Sequence, residues 1–102
     1  MHRVDWHIDA AVDLEEHDAW RISHGWEPMA TEIIDAVEAA FARGTVFPRQ
    51  RCWVKGELSP VYRTLVEVRS KRFLVYFLDA KPRPLIRRVL HPKRDSDRIE
   101  HG

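Results

Sequence analysis

The stretch from Glu27 to Gly44, EPMATEIIDAVEAAFARG, restricts most strongly what this chain can become. Ala30, Ile33, Ile34, Val37, Ala40 and Phe41 recur at three- and four-residue spacing, with Glu32, Asp35 and Glu38 on the opposite side. The stretch therefore predicts an amphipathic helix with one face to bury. Pro28 suits the first helical position, where its absent N–H would have no partner in any case, and Gly44 supplies a left-handed stop after Arg43. Beyond Gly44 come short strand-like runs divided by turn residues, so the partner for the apolar face is a sheet built by the second half of the chain. A chain of 102 residues has room for one such core.

Ahead of this helix, Val4, Trp6 and Ile8 alternate with charged or histidine residues in the manner of a short edge strand. From Asp13 a first helix is expected, capped by Asp13, with Glu16 placed to reach back and Gly25 ending it. Its apolar stripe, Leu14, Ala19, Trp20 and Ile22, is thin, which puts it at the rim of the core. His17, Arg21 and His24 fall within about 60° of one another on the helical wheel, either as a solvated face or as a functional cluster.

In the second half, a strand over Gln50–Lys55 can start only after Pro48, because proline donates no ladder hydrogen bond. A strand over Tyr62–Arg69 places Tyr62, Thr64, Val66 and Val68 on one side and Arg63, Leu65, Glu67 and Arg69 on the other. Phe73–Leu78 is apolar on both faces and reads as the central strand. Leu85–Leu90 forms the last, with Arg87 and Arg88 pointing opposite ways. Gly56–Pro60, Ser70–Lys71 and Asp79–Pro84 make the connections. The expected fold is α+β: two N-terminal helices packed on a four-stranded antiparallel sheet in two layers, over residues 1–92, followed by a charged flexible tail at 93–102.

The formal net charge of +1 conceals a strong polarity. Residues 1–43 carry ten acids and three arginines, whereas residues 44–102 carry fourteen lysines or arginines and six acids. A basic sheet would attract an anionic partner, nucleic acid first; alternatively the two halves satisfy each other across the fold or across a homodimer. The lone Cys52 cannot form an intramolecular disulfide and fits a reduced, cytoplasmic protein. No apolar run is long enough to span a membrane, and the opening MHRVDWHID lacks the apolar core of a signal peptide.

There is no Gly-rich phosphate loop, no nucleophile elbow and no paired cysteine, so no cofactor is expected. The histidines lack ligand spacing, so no metal is expected either. What remains is cations interleaved with aromatics on strands: Arg51, Trp53, Lys55, Tyr62, Arg63, Tyr76 and Arg87, joined by Arg88. Cations neutralise phosphates and aromatic faces stack on unpaired bases, a mixture suited to single-stranded RNA or DNA.

The order of these features resembles the RelE-like ribonuclease toxins of bacterial toxin–antitoxin systems, and within them the BrnT type. The likeness rests on Trp6, on His24-Gly25-Trp26 with Ala30 four residues on, on Tyr62-Arg63-Thr64-Leu65-Val66, and on Ile86-Arg87 in the last strand. Ser23 stands where that type has a lysine, and His91-Pro92 follow where it continues with Ser-Ala-Arg. The resemblance implies metal-independent RNA cleavage and an antitoxin partner. It implies His24 or His91 as base or acid, and Arg63 and Arg87 as holders of the phosphate, with Arg51 a weaker candidate. A non-catalytic nucleic-acid-binding or protein-interaction domain on the same fold is the alternative.

Overall fold

Two helices cover one face of a twisted sheet in a computed structural model that describes residues 3–44, 46 and 61–91, together with the backbone of 50–52. The elements run β1 (Asp5–Trp6), α1 (Ile8–Ser23), α2 (Ala30–Ala42), β2 (Gln50–Cys52), β3 (Val61–Val68), β4 (Lys71–Leu78) and β5 (Leu85–Leu90). Their order across the sheet is β1-β5-β4-β3-β2. Strands β2 to β5 form the expected antiparallel ladder; β1 adds two residues parallel to β5, Asp5 opposite Leu85 and Trp6 opposite Ile86, which makes the sheet mixed.

The core follows from the patterning. Ile33 and Val37 of α2 are fully buried, with Phe73, Val75 and Phe77 from β4 and Val66 and Val68 from β3 in the same cluster. Phe41 meets Phe77 edge-on at 5.1 Å between ring centroids, and Ile34 packs at the margin. On the other face of the sheet Val61, Tyr76 and Leu90 form a second buried cluster. Tyr76 is fully buried there, so it belongs to the core and offers no face to a base.

Several boundaries move, each for a physical reason. Helix α1 starts at Ile8, one and a half turns before Asp13, because His7 caps it: its Nδ1 accepts the Asp9 N–H at 3.1 Å. Asp13 is spent elsewhere. Helix α2 starts at Ala30, so Pro28 precedes the helix instead of opening it. Its first N–H groups are satisfied from a distance: Asp18 Oδ1 of α1 accepts from Met29 at 2.7 Å and from Ala30 at 3.0 Å. Glu38, read as solvent-facing, accepts the N–H groups of Arg3 and Val4, both at 3.0 Å, and so ties the start of the chain to α2. The β3–β4 return is Arg69–Ser70, with φ of 51° and 64°, as a two-residue hairpin on a twisted ladder needs. Trp53, Lys55, the Gly56–Pro60 turn and the 93–102 tail lie outside the described residues, as do the side chains of Arg51 and Cys52. Among the described residues no helix is long and apolar enough to cross a membrane.

Candidate nucleic-acid interface

Helix α1 lies along β5 and presents Asp9, Asp13, His17 and Arg21 at four-residue intervals, one stripe of a helix. The stripe is not solvated: Asp13, His17 and Arg21 are all buried. Strand β1 ends opposite Ile86, and beyond that point no other strand among the described residues pairs with the outer edge of β5, an edge that needs a cover. Asp13 supplies it. Its Oδ2 accepts the Val89 N–H at 3.1 Å, and its carboxylate takes a two-pronged contact from Arg88, Nε to Oδ2 and Nη2 to Oδ1, both at 2.8 Å.

A register shift explains how both neighbouring arginines reach the helix. Tyr76 pairs with Arg88 but Phe77 pairs with Ile86, so Arg87 is the extra residue of a bulge. Simple alternation would have turned one arginine away; instead Arg87 Nη2 lies 3.6 Å from Asp9 Oδ2 while Arg88 holds Asp13. Arg83 pairs with Asp5 at 3.3 Å, and Arg69 pairs with Glu32. Four arginines of the basic half are thus matched to acids of the acidic half, so much of the charge polarity is settled inside the fold.

Beyond Asp13 the stripe turns aromatic. His17 and His91 stack with centroids 6.3 Å apart and planes at 13°, and Phe73 meets both edge-on at 5.2 and 5.8 Å. His17 also stacks on Trp20 at 5.9 Å, and Trp20 contacts His24 at 4.6 Å and Trp26 at 5.4 Å. A row of rings therefore runs from His91, at the end of β5, to Trp26. Asp13, His17 and His91 also line a cleft of about 10 Å³, room for roughly one water and too small for a phosphate.

Trp26 owes its position to the way α1 ends. Gly25, at φ 75°, donates to the Ile22 carbonyl at 3.0 Å and Trp26 donates to the Arg21 carbonyl at 2.9 Å, the paired bonds of a Schellman stop. This folds Trp26 back over the last turn. The Arg21 guanidinium lies 5.6 Å from its ring centre and Lys71 Nζ, from the start of β4, lies 5.9 Å away. Arg21 Nε donates to the Glu27 carbonyl at 2.6 Å and is thereby fixed in place. The indole is 47% exposed.

The residues expected from sequence divide between these places. His91 stands at the mouth of the cleft and His24 at the far end of the ring row, its Nδ1 2.8 Å from the Trp20 carbonyl oxygen. Arg88 and Arg87 are engaged with Asp13 and Asp9. Arg63 is remote from both histidines, on the sheet face away from the helices and opposite Tyr76 in the ladder. Trp20, Trp26 and Lys71 were not singled out by sequence as site residues. Among the described residues no three His, Cys, Asp or Glu side chains are grouped to hold a metal ion. No family model, curated protein or solved structure matches the chain.

Proposed function

We propose that this protein is a toxin-type, metal-independent endoribonuclease of the cytoplasm that acts on single-stranded RNA and is held in check by an antitoxin protein. The observation that carries the reading is the placement of His91: a half-buried imidazole at the open end of β5, backed by His17 and continuous with a row of aromatic rings. An imidazole titrates near neutrality and so can accept and return a proton at working pH. In the reaction, a base takes the ribose 2′-OH proton and the 2′-oxygen forms a bond to the adjacent phosphorus. The bond from phosphorus to the 5′-oxygen breaks, and that oxygen takes a proton from an acid. The products are a 2′,3′-cyclic phosphate and a 5′-hydroxyl. His91 would perform one of these proton transfers from outside the cleft. The cleft itself admits water at most, so His17 supports the His91 ring rather than meeting the phosphate.

A second reading, a non-catalytic RNA-binding domain, is favoured by a different observation: Arg87 and Arg88, on the strand that ends just before His91, are committed to carboxylates of α1. Production of the protein alone in bacteria separates the two. Arrested growth, relieved by His91→Ala with the domain still folded, supports the enzyme; unimpeded growth with RNA binding intact supports the binder. Loss of both removes the two readings together.

A further inference from the structure

We propose that Trp26 is the seat of an unpaired base of single-stranded RNA, with Lys71 holding a neighbouring phosphate. This inference rests on the RNA reading above and places recognition at the end of the ring row opposite His91. Three observations converge. Trp26 is 47% exposed, and it is held open by the Schellman stop instead of being tucked into the core. Trp20 and His24 brace it, the former edge-on at 5.4 Å and the latter tilted at 5.3 Å, so the stacking surface is preformed. Arg21 is anchored beside it on the Glu27 carbonyl, while Lys71 is exposed and has a long, adjustable side chain.

The charge around the ring suits an anion once the pairs are assigned. Glu32 is taken by Arg69, and Asp18 is turned to the start of α2. Glu67 lies opposite Arg72 on the other face of the sheet. Two cations, Arg21 and Lys71, lie over the ring itself. A base stacked on an aromatic face needs no defined sequence, because every base has a π-face, so recognition here would favour single strands over duplex.

The test uses the full chain and a fluorescein-labelled 2′-O-methyl oligouridylate, whose blocked 2′-oxygen cannot attack, with affinity read by anisotropy across a salt series. Trp26→Ala is expected to weaken binding by roughly 5- to 150-fold, the range for loss of one base–aromatic stack. Trp26→Phe should restore most of it, and Lys71→Ala should flatten the log–log salt slope by about 0.7, one phosphate on a single strand. Lys81→Ala, an exposed cation on the β4–β5 connection, should leave affinity within about twofold, the modest change expected of a charge that touches no nucleotide. Parent binding that Trp26→Ala leaves unchanged would overturn this site while leaving the RNA reading intact. A parent that binds no RNA at low salt would remove that reading and this inference with it. Unchanged RNA affinity with lost self-association in Trp26→Ala would assign the indole to a protein contact, which also overturns the proposal.

Discussion

Replacing Asp13 by alanine removes in one step the acceptor of three hydrogen bonds, two from Arg88 and one from the Val89 N–H. The carboxylate side chain is only 3% exposed and the Arg88 side chain 17%, so the pair lies where breaking one partner strands the other. Such a break costs about 3–5 kcal/mol, and the residual access of water to Arg88 argues for the lower end, about 3 kcal/mol. A domain of this size has a total stability of roughly 5–15 kcal/mol, so the loss is a large fraction of it. Urea unfolding followed by tryptophan fluorescence measures the change, and the thermal midpoint should fall by about 12 °C or more. The double variant Asp13→Leu/Arg88→Met should lose clearly less than the sum of Asp13→Ala and Arg88→Met, since it leaves no unpaired charge. An Asp13→Ala variant less than about 1 kcal/mol below the parent, the range of an exposed pair, would refute the view that Asp13 seals the edge of β5.

Other perturbations test the rest of the fold. Ile33→Asp should abolish the cooperative transition, because an unpaired carboxylate at this fully buried position costs several kcal/mol; a retained transition would place that helix face outside the core. Ser70→Gly should raise the urea midpoint by the equivalent of about 0.5–1 kcal/mol, since glycine relieves the left-handed backbone at φ 64°, and an unchanged midpoint would contradict it. The log–log salt slope of single-stranded RNA binding should be left within about 0.3 of the parent by Arg83→Gln, because that arginine is already matched to Asp5; a slope flattened by about 0.7 would show the pair opening for RNA.

The α2 face and the β4 run were legible because apolar periodicity reports burial directly, and Ile33, Val37, Phe73 and Val75 occupy the places that pattern assigns. The polar stripe of α1 was not. Sequence makes Asp13 a helix cap and leaves His17 open between a solvated face and a cluster, whereas the bulge at Arg87 brings Arg87 onto Asp9 and Arg88 onto the buried Asp13. A bulge carries no local signal in the dipeptide Arg87-Arg88. Capping failed for a related reason: the acceptor for the start of α2 is Asp18, eleven and twelve residues upstream of Met29 and Ala30. Local cap rules look no further than one turn. A signal for the site did exist, since four acids of the first half and four arginines of the second half are matched, and the imbalance between halves registers that need without its geometry. His24-Gly25-Trp26 was legible as a helix stop, but the braced, cation-flanked indole needs Trp20, Arg21 and Lys71 to converge in space.

The most direct measurement incubates the purified protein with an end-labelled single-stranded RNA in the presence of a chelator and identifies the new ends. Fragments ending in 2′,3′-cyclic phosphate and 5′-hydroxyl are expected, with a rate at least about 100-fold lower in His91→Ala, the usual minimum contribution of a proton-transfer group. His24→Ala, Arg63→Ala and Arg87→Ala tested alongside it show whether another assignment carries the chemistry. Intact RNA with the parent protein, or equal cleavage by the parent and all four variants, would rule out the proposed ribonuclease activity at these residues.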